Sequence, residues 1–224
     1  MCDQNCIEWV RENIGVEDIR GKRVLEVGSF NVNGTLKPLL KTLGPSEYVG
    51  IDIRSGSNVD IICPAERLVN YFGNESFNVI ISTCTLEHVL DWRKAISSIK
   101  RVCKPGGMIL LIVPSDWPFH AFPWDYWRYS PEDLKKIFAD CQILALAEDP
   151  ALPQRCVYIK LSKPEHFAET NLAGYALYSI IANRRVARLN FWHYINQRFS
   201  RIVLHHVHLG LNALASRFRA RFSL

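Results

Sequence analysis

The chain has no CxxC pair, no apolar run long enough to cross a bilayer, and no acidic side chain after Glu169. Without paired cysteines at ligand spacing, neither a zinc ribbon nor a dithiol redox motif is expected. The seven cysteines (positions 2, 6, 63, 84, 103, 141 and 156) are odd in number and scattered, several within apolar runs. They read as small buried hydrophobes in a reduced, cytoplasmic compartment and not as a disulfide framework. The opening residues, Met1 to Cys6, show neither the basic start nor the apolar stretch of a secretory signal. The apolar segment Asn171 to Asn183 falls short of the roughly 20 residues that a spanning helix needs.

The missing acids expose a charge asymmetry. From Thr170 to Leu224 there are eight Arg and no Lys, Asp or Glu, so the formal net charge of +5 belongs to the tail. Before it stand 19 basic against 22 acidic residues. A nucleic-acid partner inferred from the overall basic balance is therefore set aside.

What the chain does contain is an alternation of short apolar runs with helical spacings. Strands are expected at Lys22 to Val27, Tyr48 to Ile53, Val59 to Ile62, Phe77 to Ser82, Met108 to Val113, Gln142 to Ala147 and Cys156 to Leu161. Helices are expected at Gly34 to Leu43, Asp91 to Cys103, and after Ser130-Pro131-Glu132-Asp133, where Ser caps and Pro opens the first turn. This pattern predicts an α/β fold, Rossmann-like and doubly wound, with a mainly parallel seven-stranded sheet over residues 1–163. A basic amphipathic helical tail is expected over 164–224. Ligands of such sheets sit at the carboxyl ends of the strands, beside the switch point.

The first strand ends VLEVGSFNVNGT, with Gly28 directly after it to admit a ligand close to the backbone. The second ends at Asp52, where a carboxylate can accept from ribose hydroxyls or simply cap a loop. A nicotinamide dinucleotide would want a second glycine where Phe30 stands, because a side chain there obstructs a diphosphate.

In the order VLEVGSFNVNGT, YVGIDIR, FNVIISTCTLEHVLDW and KPGGMILLIVP, the chain resembles the class I methyltransferases, in particular the type 11 methyltransferase group, from about Arg20 to Ser162. The resemblance implies S-adenosylmethionine as cofactor. Glu26 would support the methionine amino group, Gly28 and Ser29 the methionine and ribose, Asp52 the ribose hydroxyls, and Ile53 one face of adenine. Ala65 would lie beside the adenine, and Thr83, Cys84 and Leu86 beside the sulfonium. Two departures stand out. Phe30 and Val32 replace further glycines, and Pro64 stands where relatives often have Asp, leaving Glu66 to accept from the adenine amino group or that contact missing.

After the fifth strand comes PSDWPFHAFPWDYWRY, a proline-restricted loop that should overhang the transferred methyl group. Its aromatics offer flat walls, and Asp116, His120, Asp125 and Arg128 add polar groups, the usual ingredients of a pocket. Trp117, Trp124 and Tyr126, with Asp116, Asp125 and Arg128, are the expected acceptor-binding residues. His120, or His88 in the LEH turn, would be the base, unless each merely braces the loop. Arg128 either clamps an anionic acceptor or pairs with Asp125 or Glu132. Similar PxHxxPxDYWRYxPE stretches recur in methyltransferases associated with sugar or surface-glycan biosynthesis, so the expected acceptor is a small molecule of that kind. The alternative is a non-catalytic scaffold protein on the same fold.

In the tail, Trp192, Ile195, Phe199, Ile202, His206, Leu209 and Ala213 form one stripe at helical spacing. Packing on the domain or in a dimer, peripheral contact with an anionic membrane and, least favoured, binding of nucleic acid all remain open for it. His205 and His208 share a face but lack a nearby Cys or carboxylate, and no metal site is expected.

Overall fold

The computed structural model describes residues 4–120, 124–149 and 155–195. The strands are β1 (Arg23–Val27), β2 (Glu47–Asp52), β3 (Ile61–Ile62), β4 (Phe77–Thr83), β5 (Cys103–Asp116), a short β6 (Trp127–Arg128), β7 (Gln142–Glu148) and β8 (Arg155–Ser162). All but β6 form one sheet in the order β3-β2-β1-β4-β5-β8-β7. Strands β1 to β5 run parallel, and β8 alone is antiparallel to its neighbours. The expected mainly parallel, doubly wound, seven-stranded sheet is what forms. Its order reverses at β1 and β4, so the loops leaving those strands flank the crevice where such folds bind ligands.

Strand residues alternate between two cores. Leu25, Val27, Ile80, Ile109, Leu111 and Val113 face one layer, and Val24, Val79, Ile81, Leu110 and Ile112 face the other. Covering both faces explains why these strands read as unbroken apolar runs. On the first face lie α4 (Leu68–Phe72), α5 (Trp92–Val102) and α6 (Pro131–Ile137). The second packs against α1 (Gln4–Asn13), α2 (Val16–Ile19) and α3 (Lys37–Thr42). Caps fall where the sequence puts them: Asp91 accepts from Lys94 N, and Ser130 and Asp133 form a reciprocal capping box.

The tail is where expectation and structure part. The described residues between 164 and 190 contain no helix; they contain β9 (Leu177–Ser179) and β10 (Arg184–Val186), which join β6 in a three-stranded antiparallel sheet. Leu172, Leu177 and Ile181 enter the main core. Asn183 takes a positive φ of 50° and closes the hairpin turn, which a short polar side chain tolerates. Three arginine and lysine anchors hold the segment down. Arg93 donates to the carbonyls of Leu172, Tyr175 and Ala187. Arg185 pairs with the buried Asp133. The fully buried Lys100 meets Asp140 at 2.7 Å, and Asp140 in turn accepts from Thr170 N at 2.8 Å. This stretch is thus extended and structural, and a helix begins only at 191–195. The rest of the predicted amphipathic stripe, with His205 and His208, lies outside the described residues. No helix among the described residues is long and apolar enough to cross a membrane.

Candidate active site

A cavity of about 310 Å³ opens at the carboxyl ends of β1, β2 and β4. At its floor Gly28 has φ +81°, and a Cβ there would come within 1.9 Å of Thr85 Oγ1. Glycine is thus required both by conformation and by space. The amides of Gly28 and Ser29 donate to Ile51 O at 2.8 and 2.9 Å, tying this turn to β2. Phe30 lies in the cavity wall with its ring against Gly56, whose missing side chain makes room for it. Across the turn, Cys84 leaves β4 with φ +47°, a conformation that costs a non-glycine residue about 1–3 kcal/mol.

Of the expected cofactor residues, Gly28, Asp52, Ile53, Ala65, Glu66 and Cys84 line this cavity. Asp52 caps the loop, Oδ1 accepting from Arg54 N at 3.2 Å, and the residue also stands on the cavity wall. Ile53 is 53% exposed, an apolar surface waiting for a flat partner. Pro64 and Glu66 both reach the same end. Glu26, Ser29, Thr83 and Leu86 are buried behind the wall and do not line it. Ser29 Oγ bonds Asn58 O at 3.0 Å, and Leu86 packs in the core. Burial lifts the Glu26 carboxyl to about 7, against the Tyr48 hydroxyl that donates to it.

At the opposite end the walls are Cys84, Thr85, His88, Val89, Leu90, Trp124 and Tyr126. Trp124 and Tyr126 were expected there; Val89 and Leu90 were not singled out, although the LEHVL stretch that carries them follows β4 directly. The remaining acceptor candidates point elsewhere. Asp125 is fully buried and accepts from both Arg128 Nη atoms at 2.5 and 2.7 Å. Arg128 completes its fork on the carbonyls of Trp117, Pro118 and Trp127. Both are therefore corrected from acceptor binding to fastening the loop. Trp117 packs on the far core and Asp116 faces solvent beside Arg155, so neither reaches the cavity.

His120 does not line the cavity either. Burial works against its charge, but Asp125, 3.2 Å from Nδ1, and Glu87 outweigh it and raise the imidazole to about 10. A ring already protonated at neutral pH is no general base, so that assignment is also revised. His88 is on the wall, with Nδ1 held by the Trp124 carbonyl. Beneath both rings lies Glu87, fully buried; burial opposes its ionisation, but the two histidines hold its carboxyl below the usual range.

The methyltransferase domain family (type 23) matches residues 4–143, more than half of the chain. The chain belongs to that family. It is a methyltransferase, and its fold is that of solved S-adenosylmethionine dependent methyltransferases. The motifs resemble the type 11 group and the match is to type 23, so the class agrees while the numbered subgroup differs. No curated protein sequence matches the chain. Among solved structures it is similar to an S-adenosylmethionine dependent methyltransferase of Aquifex aeolicus, at 19% identity and TM-score 0.51, covering 70% of this chain and 88% of that one. It is also similar to the 1,6-didemethyltoxoflavin-N1-methyltransferase of Burkholderia thailandensis, solved with its substrate and S-adenosylhomocysteine, at 14% identity and TM-score 0.53 over 72% and 77% of the two chains. The [4+2]-cyclase SpnF shares the fold too, at 16% identity and TM-score 0.55 over 72% and 81%. The methyltransferase assignment accordingly rests on the family match, with the neighbours establishing the fold.

The residues present fit the cofactor. A strand-end glycine that no side chain could replace, a wall carboxylate at Asp52 and an exposed apolar face at Ile53 line one continuous cavity. Such a set suits an adenosyl group with no diphosphate to accommodate.

Proposed function

We propose that this methyltransferase modifies a neutral hydroxyl of a small acceptor, a sugar or glycan precursor, held against Trp124 and Tyr126. One observation carries the reading: the cavity that begins at Gly28 and Asp52 ends at an aromatic wall, and that end has no Lys, Arg, Asp or Glu among its described lining residues. A charged acceptor would lack a partner there, whereas a flat, uncharged ring would find apolar surface and His88.

In this reading Glu66 accepts from the adenine amino group in place of the Asp that Pro64 displaces, and Asp52 accepts from the ribose. When bound, S-adenosylmethionine supplies an electrophilic methyl group, displaced in line as the carbon–sulfur electron pair returns to sulfur. The chain contributes alignment and exclusion of water. Val89, Leu90, Trp124 and Tyr126 surround the acceptor, and the Arg128–Asp125 fastening fixes the segment that carries the two aromatics. His88 presents an edge to the cavity, but its Nδ1 is held by a carbonyl, so no free base is assigned. The tail beyond 195, with its exposed neighbours Phe191 and Trp192, is the part we assign to a membrane surface or a second copy.

The test is S-adenosylhomocysteine release over a panel of acceptors: sugars and uncharged glycosides against amines and carboxylates of matched size. Turnover confined to hydroxylated acceptors, with KM rising at least tenfold in Trp124→Ala, supports the reading. Turnover with carboxylates or amines alone overturns it.

A further inference from the structure

Glu87 poses a problem that the cofactor and acceptor readings do not solve. It is fully buried, and neither carboxylate oxygen has a hydrogen-bond partner among the described residues. An ionised carboxylate left so is strongly unfavourable unless a cation faces it. The polar atoms nearby are two imidazole nitrogens: His88 Nε2 at 3.7 Å and His120 Nε2 at 3.8 Å from Glu87 Oε1. Both lie beyond hydrogen-bond range, and His88 Nε2 is itself buried without a partner among the described residues.

The far sides of the two rings are occupied. His88 Nδ1 meets the Trp124 carbonyl, and His120 Nδ1 meets Asp125 at 3.2 Å and the Pro118 carbonyl at 3.1 Å. The rings stand edge to face, 5.1 Å between centroids. With Nδ1–H directed at oxygen acceptors, both rings turn Nε2 toward one carboxylate, where His88 offers a lone pair and His120 gains one on losing its proton. One ligand atom from each of the three residues lies within 4.8 Å of the others. Carbonyl–His and carboxylate–His pairs are the outer supports that metal-binding histidines ordinarily have.

We propose that Glu87, His88 and His120 bind a divalent first-row transition-metal ion of the zinc class. Two imidazoles and one carboxylate suit Zn²⁺, Co²⁺ or Fe²⁺ better than Mg²⁺ or Ca²⁺, which prefer all-oxygen sets. Bonds of about 2.0–2.2 Å to a central ion place tetrahedral donors about 3.3–3.6 Å apart. The two spacings to Glu87, 3.7 and 3.8 Å, therefore need to shrink by only a few tenths of an ångström. The two rings, within 4.8 Å of each other at their donor atoms, close together by a larger rotation. In the metal-free protein the proton on His120 is the counter-charge to Glu87, and the ion displaces it. Three protein ligands leave a fourth position; His88 alone of the three lines the cavity, so an acceptor reaches the ion only past that ring. The catalytic consequence rests on the proposed function: a hydroxyl bound there loses its proton to water more readily, and its oxygen lone pair then forms the new bond to the methyl carbon.

Metal binding is tested apart from turnover. Full-length protein is stripped with a chelator, dialysed, and titrated calorimetrically with Zn²⁺ and optically with Co²⁺. The expected result is one ion per chain with cobalt d–d bands and no thiolate charge-transfer band. Glu87→Gln, which keeps the size and removes the buried charge, and His88→Ala should each weaken binding at least tenfold. No saturable binding by the parent protein, a thiolate band, or equal affinity in a folded variant overturns the proposal. The first two outcomes need no variant to fold. S-adenosylhomocysteine titration of the same metal-free sample reports on the cofactor site separately, so failure of one reading is distinguishable from failure of the other.

Discussion

Replacing Arg128 with Met removes the guanidinium while keeping the apolar stem. The parent side chain is 4% exposed and holds both oxygens of a fully buried Asp125 together with three carbonyls. Among the described residues, the variant leaves Asp125 with only His120, through its amide at 2.9 Å and its ring at 3.2 Å. Breaking one side of a buried, hydrogen-bonded ion pair costs about 3–5 kcal/mol. That is a large part of the roughly 5–15 kcal/mol that stabilises a typical domain. Urea denaturation should show the midpoint falling by the corresponding amount with an unchanged slope. Arg128→Lys should recover little, since a single ammonium cannot reproduce the planar fork. A loss below about 1 kcal/mol in Arg128→Met would show that the pair does not fasten the loop, and would reopen Arg128 as an acceptor ligand.

Gly28→Ala should destabilise the protein by at least the 1–2 kcal/mol of a left-handed alanine and reduce S-adenosylmethionine affinity, read by thermal melting and titration; a stable variant that binds normally contradicts the floor of the cavity. Trp124→Ala should raise acceptor KM at least tenfold and leave cofactor Kd within twofold, and an equal effect on both would place Trp124 at the wrong end. Stability should also depend on pH with a defined sign. The Glu26 carboxyl, raised from 4.5 to about 7, favours the fold below pH 4.5, and that contribution is lost as pH rises through 7. In the metal-free protein His120, raised from 6.5 to about 10, contributes fully below 6.5 and is lost between 6.5 and 10. Denaturation curves across pH should therefore lose slope between 4.5 and 7 in Glu26→Gln; identical curves for parent and variant refute the assignment.

Much of the sheet was legible because a strand covered on both faces has only one kind of sequence. Phe77 to Ser82 and Met108 to Val113 could be read directly, and Ser130-Pro131 and Asp91 marked helix starts through local capping chemistry. The location of Gly28 and Asp52 on the cavity was legible because both stand at strand ends beside the switch point. The loop after β5 was not, since its aromatics and charges look alike in sequence while Trp124 faces the cavity and Trp127 is buried against the carbonyls of Val89 and Leu90. Only the pairing of β6 with β9, set by residues some fifty positions downstream, decides which is which. The same distance hid the hairpin: Asn171 to Asn183 is apolar enough to be helical, and what makes it extended is the place Leu177 and Ile181 take in a core made by other elements. Glu87 and His88 were visible as a family-like turn, but their convergence with His120 depends on a loop that crosses back from β5.

The account stands on the cavity at Gly28 and Asp52 being the cofactor site. Titration calorimetry with S-adenosylmethionine and S-adenosylhomocysteine, on parent and Asp52→Ala, tests this most directly. The account predicts saturable binding of both ligands to the parent, weakened roughly ten- to a hundredfold in the variant as hydrogen bonds to a charged group worth about 1.5–3 kcal/mol are lost. Binding that Asp52→Ala leaves unchanged, or no binding to well-folded parent protein, contradicts it.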